Sequence, residues 1–164
     1  MDNFKNKTHP QSSDADERAK QHLNSIGLYS RSVSIISNTF RLTSIIKNYS
    51  ENQVLKEFNL SFSGFTVMWV IWVWRDIETA KLAKNAGIAK STLTGILITL
   101  EKHGYCKRMA HPSDARRVIV HISKAGEDLM EKIFPKFHKI EDMAVSDLTS
   151  DEFETTIDSL RTML

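Results

Sequence analysis

The stretch from Thr79 to Ser123 constrains the fold most, because two helical patterns separated by a tight turn are followed by two short strands. Apolar residues recur at helical intervals on both sides of the turn Ala86-Gly87-Ile88. The second helical pattern stops at Gly104. The order predicts a winged helix-turn-helix, in which the polar loop between the strands is the wing. The first strand, the loop and the second strand are Cys106 to Met109, His111 to Arg116 and Val118 to Ile122.

The charges are distributed unevenly, although the 164 residues carry a formal net charge of only +2. From Lys81 to Arg117 there are eight Lys or Arg residues and two acidic residues, a net charge of +6. From Glu141 to Leu164 there are seven acidic residues and one base, a net charge of −6. Because the basic window coincides with the predicted winged helix, it favours a phosphate-binding surface over a merely solvated one. The acidic window is interpreted as a solvated helix face.

A single cysteine, Cys106, excludes an internal disulfide, and the first residues contain no apolar signal segment. Both features predict an intracellular, cytoplasmic protein. The most apolar segment, Phe62 to Trp74, has 13 residues, whereas a membrane span needs roughly 20. We therefore expect a buried helix, covered on nearly all sides, and no contact with a membrane.

Four segments follow from these patterns. Residues 1–27 form a polar arm, expected to be disordered or loosely helical over about the first 21 residues. Residues 28–58 predict one long amphipathic helix that ends at Asn59. Residues 59–122 form the winged helix-turn-helix lobe, and residues 123–164 form two helices, the last starting with a capping box of Thr149 and Glu152. The fold class is mainly α with a small β-hairpin wing, and the flanking helices are expected to form a dimer because neither arm can bury its apolar stripe alone.

Four motifs in this order resemble the MarR family of bacterial transcription regulators, over about residues 36 to 164. Each motif alone is weak evidence, but four of them inside a winged-helix pattern are a specific combination. The resemblance implies a homodimer that binds double-stranded DNA at a pseudo-palindromic operator. The motifs are Leu100-Glu101-Lys102-His103-Gly104, Arg108 in the next strand, Asp114-Ala115-Arg116 in the wing, and Ile122-Ser123-Lys124-Ala125-Gly126 before the following helix.

The resemblance also implies that the recognition helices enter successive major grooves while the wings contact the flanking minor grooves. On the helix, small hydroxyl residues, a lysine and a glycine offer hydrogen bonds and close approach to base edges. In the wing, Arg116 suits a narrow, electronegative minor groove, and Asp114 is placed to hold its guanidinium. The candidate DNA-binding residues are Lys90, Ser91, Thr92, Thr94, Gly95, Arg108, His111, Asp114, Arg116 and Arg117.

The recognition helix departs from the usual family pattern in two ways. Ala89 stands where a serine commonly caps this helix, which predicts a weaker cap. Gly95, Ile98 and Thr99 stand where Arg, Asp and Arg are frequent, so the helix carries less charge. The contacts with bases cannot be transferred from relatives, and a winged-helix protein-interaction module without DNA binding remains an alternative.

The resemblance further implies a small effector, an aromatic carboxylate or another phenolic compound, bound between the dimerisation helices and the winged helix. The predicted function is a repressor of a catabolic or efflux operon that leaves DNA when the effector binds. For the aromatic candidates, the alternative role is packing in the core or in the dimer. For Arg41, the alternative is a salt bridge on the surface or between helices. The candidate ligand-binding residues are Asn38, Arg41, Phe65, Met68, Trp69 and Trp72.

Four potential metal or redox ligands lie within nineteen residues of one another: His103, Cys106, His111 and His121. Their spacing matches no recognised zinc pattern, so neither a metal nor a cofactor is predicted. A metal- or oxidant-sensing regulator remains an alternative. The sequence contains no Gly-x-Ser-x-Gly, His-Glu-x-x-His or phosphate-binding glycine loop, and we do not expect an enzyme.

Overall fold

The computed structural model describes residues 9–164 and contains the predicted winged helix-turn-helix. The chain divides into two units, a helical unit of the described residues up to Tyr49 with Lys139–Leu164, and a winged-helix unit of Ser50–His138. The elements in chain order are α1 (His9–Ser25), α2 (Arg31–Gln53), a 3-10 turn (Leu55–Phe58), α3 (Phe62–Trp74), β1 (Asp76–Glu78), α4 (Thr79–Asn85), α5 (Lys90–Lys102), β2 (Cys106–His111), β3 (Asp114–Ile122), α6 (Lys124–Val145) and α7 (Ser150–Met163).

The N-terminal segment that the sequence predicts as a polar arm contains α1. An ion pair between Arg18 and Asp14, 3.2 Å apart and four residues away in sequence, supports this helix on its exposed surface. Gly27, with a φ of +69°, turns the chain after it. The part of the arm prediction that concerns residues 1–8 lies outside the described residues.

The long helix predicted over residues 28–58 is shorter in the structure. Helix α2 ends at Gln53, and a separate 3-10 turn follows at Leu55–Phe58. The prediction of one continuous helix is wrong here, because apolar spacing alone does not reveal a change of helix type. Asn59, the predicted end of the long helix, instead ends the 3-10 turn, where it adopts a left-handed conformation with a φ of 50°.

Two glycines end the helices of the helix-turn-helix as the sequence predicts. Gly87 and Gly104 have φ values of 63° and 74°, a left-handed region that glycine adopts without steric cost. At the end of α5, the Gly104 amide donates to the Glu101 carbonyl at 2.9 Å and the Tyr105 amide donates to the Leu100 carbonyl at 3.0 Å. This pair of hydrogen bonds is a Schellman motif, which fixes the direction in which the wing leaves the helix.

The wing belongs to a three-stranded antiparallel sheet of order β1-β3-β2. The predicted loop His111 to Arg116 is wrong in extent, because His111 still pairs with Asp114 and only Pro112 and Ser113 form the turn. Asp114 and Arg116 therefore lie at the start of β3. A search for alternating apolar residues does not detect this part of β3, because its residues are polar. Cross-strand backbone pairing does not require such an alternation.

Helix α3 is capped by Ser61, whose Oγ accepts from the Gly64 amide at 3.1 Å. The expectation of burial on nearly all sides is wrong, because Trp69 is 41% and Val73 56% exposed. The single chain covers only part of the helix and leaves one stripe accessible. Among the described residues, no helix is long and apolar enough to cross a membrane. The buried residues of α3 are Gly64, Phe65, Val67, Met68, Val70 and Ile71.

The start of α6 packs closely against the end of α5. Ser123 caps α6, because its Oγ accepts from the Gly126 amide at 3.0 Å and donates to the Gly104 carbonyl. A Cβ at Gly126 would lie 2.1 Å from the Tyr105 carbonyl oxygen, so only glycine fits. The motif from Ile122 to Gly126 is thus a packing requirement between two helix ends.

The predicted start of the last helix is confirmed. The Glu152 amide donates to Thr149 Oγ1 at 3.4 Å, and the Thr149 amide donates to Glu152 Oε2 at 2.9 Å. These reciprocal bonds form a capping box.

Replacing Gly126 with alanine is predicted to destabilise the protein by about 1–3 kcal/mol, because the new methyl group overlaps a backbone carbonyl that cannot move freely. The matched control is Gly95→Ala in α5, where a Cβ meets nothing within 4 Å. That change should stabilise the protein by about 0.5–1 kcal/mol through helix propensity. Urea unfolding measures both variants, and equal effects would contradict the packing argument.

Candidate nucleic-acid interface

Helix α5 presents the polar face that the sequence predicts for DNA reading. Leu93, Leu97 and Leu100 are buried and fix the helix in the core of the winged-helix unit. Intervals of four and three residues place these leucines on one side of the helix, so the remaining side faces outward. The predicted DNA-binding residues of this helix are all exposed: Lys90, Ser91, Thr92, Thr94 and Gly95.

The beginning of α5 lacks a side-chain cap, as predicted from Ala89, which occupies the N-cap position without a side-chain hydrogen bond. Farther along, the hydroxyl groups of Thr94 and Thr99 donate to the carbonyls of Lys90 and Gly95, at 3.0 and 3.2 Å. Because these donors are used within the helix, the two threonines offer DNA only lone pairs and methyl groups.

Arg108 is tied to the end of α5 by a carboxylate. Glu101 accepts the Arg108 backbone amide at 2.9 Å and its Nε and Nη2 at 3.0 and 2.6 Å. The hydrogen bond from the Arg108 side chain lowers the pKa of Glu101, and the same bond raises the pKa of Arg108. Arg108, a predicted DNA-binding residue, therefore joins the wing to α5, the predicted recognition helix, which is called the reading helix from here on.

A second set of ion pairs holds β1 against β3. The Arg117 Nε donates to Glu78 Oε2 at 2.8 Å, and a second guanidinium nitrogen contacts the other carboxylate oxygen. His121 Nδ1 lies 2.7 Å from Asp76 Oδ1. Two acidic residues of β1 thus face two bases of β3, and Arg117 is neutralised locally although the sequence predicts it to bind DNA.

At the turn of the wing, Asp114 does not hold the Arg116 guanidinium as predicted. Its Oδ1 accepts the Arg116 backbone amide at 3.0 Å, which fixes the turn instead. His111 has a similar role, since its Nδ1 accepts the Ser113 amide at 3.2 Å. The Arg116 side chain is exposed and makes no ion pair with any described residue, so its charge is available to a ligand.

The structure brings several predicted residues together around α5. A cleft of about 330 Å³ between α5 and the wing strands is lined by Lys90, Thr94 and Arg108, among others. A second cleft, of about 450 Å³, lies between α3 and α5 and is lined by Thr92 and Gly95. The predicted reading residues thus occupy the edges of two grooves on either side of one helix.

The four potential metal or redox ligands are separated by their partners. His103 stacks on Tyr105 with ring centroids 5.6 Å apart, while His111 and His121 bond to the residues named above. Among the described side chains, no group of three or more His, Cys, Asp or Glu is arranged to hold a metal ion. Burial raises the pKa of Cys106 to about 12, helped by the nearby charge of Glu101. A thiol protonated at neutral pH is a poor target for oxidants.

The predicted ligand-binding residues fall into three groups. Phe65 and Met68 are buried in the core of the winged-helix unit, where Phe65 packs on Phe137 with centroids 4.2 Å apart. A small molecule reaches these two only by displacing core packing. Trp69 is exposed and Trp72 is half-buried, so both remain accessible. In the helical unit, Arg41 Nη1 donates to Asn38 Oδ1 at 3.1 Å.

Comparison with known proteins is consistent with this interface. Residues 60–118 match the model of the MarR family. The uncharacterized HTH-type transcriptional regulator YwaE of Bacillus subtilis (strain 168) is 34% identical over 120 residues, which cover 73% of this chain and 70% of that protein.

Two solved structures share the fold. A mutant MarR from E. coli complexed with operator DNA has a TM-score of 0.73 at 21% identity, covering 84% of this chain and 98% of that one. The structure of Bordetella bronchiseptica BpsR, described in terms of the regulation of its DNA binding by 6-hydroxynicotinic acid, has a TM-score of 0.71 at 18% identity. The match covers 79% of this chain and 98% of that one. Fold, sequence and interface together define a winged-helix DNA-binding transcription regulator. The chain belongs to the MarR family.

Sequence reasoning missed the ion pairs that hold the wing. In the sequence, Glu101 stands out only as part of a motif, and the ion pair of Glu78 with Arg117 joins residues 39 positions apart. One signal was present, namely the alternation Asp76-Ile77-Glu78, which puts two acidic side chains on one face of a short strand and Ile77 in the core.

Replacing Glu101 with glutamine is predicted to lower the free energy of unfolding by about 0.5–1 kcal/mol at neutral pH, because the ion pair with Arg108 is lost. The pKa of Glu101 is lowered in the folded state, so its contribution is complete above the ordinary glutamate range and disappears as pH falls through the lowered value. Urea unfolding between pH 7 and pH 3 should therefore show wild type and variant converging in acid. The control is Glu154→Gln on α7, an exposed residue without an ion pair among those described. A gap that persists in acid would refute the ion-pair account.

Proposed function

We propose that the protein is a homodimeric repressor that binds a pseudo-palindromic operator and is released by a small aromatic carboxylate. The observation that carries the proposal is the exposed reading face of α5 beside a wing whose Arg116 is not neutralised. Cationic side chains that are not already paired supply the favourable contacts with phosphates and with the negative minor groove.

The helical unit supports a dimer. Helix α7 has no buried residue, although Phe153, Leu160 and Met163 recur along it. Helix α2 leaves Ile36 and Phe40 exposed in the same way. Apolar stripes of this kind are costly in water, and a second copy of the chain offers the same stripes for mutual burial. A dimer would also present two reading helices to the two half-sites of a palindrome.

The accessible tryptophans Trp69 and Trp72 support an aromatic effector. Trp69 is accessible, and Trp72 lies beside Phe134 with ring centroids 5.4 Å apart. Rings at such an edge can add a planar ligand by offset stacking. The effector would weaken DNA binding by favouring a protein conformation in which the two reading helices no longer match the operator.

For the wing, Arg116→Ala is predicted to weaken operator binding by about tenfold or more, because a charge-assisted contact with DNA is lost. The dependence of log K on log salt should also become less steep, by about one for each wing. The adjacent Arg117→Ala is the matched control, since that side chain is already neutralised by Glu78 and should matter less for affinity. Fluorescence anisotropy measures affinity, and sedimentation velocity verifies that both variants remain dimers. An equal or larger loss with Arg117→Ala would contradict the assignment.

For the effector, a panel of benzoates, hydroxycinnamates and phenols is predicted to include at least one compound that raises the melting temperature. A ligand present at a hundredfold excess over its Kd stabilises a protein by about 2.7 kcal/mol. Trp69→Ala should abolish the shift. Trp74→Ala is the control, because Trp74 is similarly exposed but is covered by Lys81, whose Nζ lies 3.6 Å from the ring centroid. The effector proposal fails if no compound shifts the wild-type protein.

A further inference from the structure

The outward column of the reading helix contains one large apolar side chain. Ser91, Gly95, Ile98 and Lys102 follow one another at intervals of four, three and four residues, which places them on one face of α5. All four are exposed, and Ile98 is 55% exposed. The face opposite the buried leucines is therefore centred on an isoleucine.

Gly95 increases the reach of that side chain. A Cβ at this position would meet nothing within 4 Å, so the space is open and the glycine is not required by packing inside the protein. Without a side chain there, the helix backbone can come closer to the floor of a groove. Ile98, one turn farther along, is then the first bulky group to touch what lies opposite.

The other side chains of α5 offer little base discrimination. The helix contains no Arg, Asn or Gln, residues that read guanine or adenine with paired hydrogen bonds. Lysine can also read guanine, but the two lysines, Lys90 and Lys102, lie at the ends of the helix. Serine and threonine hydroxyls can bond to either a donor or an acceptor on a base edge, so they discriminate poorly between bases. In addition, the hydroxyl groups of Thr94 and Thr99 already donate hydrogen bonds to backbone carbonyls of the helix. Hydrogen bonding from the middle of this helix thus cannot define a base pair.

An apolar group in the major groove has one specific counterpart, the 5-methyl group of thymine. We infer that Ile98 is a specificity-determining residue that contacts a thymine methyl group in each half-site of the operator. This inference rests on the proposed function, since it requires sequence-specific DNA binding. It predicts half-sites in which a thymine is selected for its methyl group and not for its hydrogen-bonding edge.

The test uses uracil, which pairs like thymine but lacks the methyl group. Full-length protein first selects its preferred duplexes from a randomised pool, and each thymine of the selected sequence is then replaced by uracil in turn. For the wild type, one position per half-site should weaken binding by roughly threefold to fivefold for each methyl group removed. For Ile98→Ala, the same substitution should change the affinity by less than a factor of about 1.5, because the methyl group no longer has a partner.

Met109→Ala is the matched control. Met109 is an exposed apolar residue of the same unit, 41% accessible, but it lies in β2 of the wing. This variant should keep the full penalty for uracil. Because the penalty is a ratio measured within each variant, a general loss of affinity or stability does not imitate the result.

Two outcomes overturn the inference while leaving the proposed function intact. One is a selected sequence in which no uracil substitution weakens binding, and the other is an undiminished penalty in Ile98→Ala. A pool that yields no preferred sequence overturns the proposed function as well, and is distinguished by the absence of enrichment.

Discussion

Three hydrogen bonds from Arg108 to Glu101 hold the wing against the end of the reading helix, and the geometry of the DNA-binding lobe depends on them. The left-handed turn at Gly104 sets the direction in which the chain leaves α5, and the carboxylate then fixes the first strand beside it. Ser123 and Gly126 complete the junction by packing the start of α6 onto the same turn. Five residues that look like scattered motif positions in the sequence are thus neighbours at one joint.

This joint also explains how the basic charge of the lobe is divided. Arg108 and Arg117 are each paired with a carboxylate, so they shape the protein and are partly withdrawn from a ligand. Asp114 accepts the backbone amide of Arg116 and not its guanidinium, so the Arg116 charge is not neutralised by any described residue. Adjacent arginines in one strand therefore have different roles, because alternate residues of a strand point to opposite faces. A count of basic residues alone does not reveal this division.

The reading helix itself carries little charge, and its basic residues lie at its two ends. Lys90 marks the first residue of α5, but the middle of the exposed face is glycine, isoleucine and threonine. If the proposed function holds, affinity is expected to come mainly from the wing and from lysines at the edges of the winged-helix unit, and sequence preference from small apolar contacts. Such a division suits an operator recognised through its thymines and its groove shape.

Local backbone features could be predicted from the sequence, because they depend on residues a few positions apart. The turns at Gly87 and Gly104 and the capping box at Thr149 are of this kind. The partnership of Glu78 with Arg117 could not be predicted, since it depends on the order of strands in the sheet. The exposed stripe with Trp69 was also missed, because hydropathy shows how apolar a helix is and not how much of it one chain covers.

Sequence-specific DNA binding is tested most directly by a gel-shift titration with the DNA upstream of the protein's own gene and a shuffled duplex of the same composition. At moderate salt the upstream DNA should bind roughly a thousandfold or more tightly than the shuffled duplex. Raising the salt concentration should weaken both complexes, because phosphate contacts contribute to each. Equal affinity for the two duplexes at every salt concentration would contradict the proposal that this interface recognises an operator.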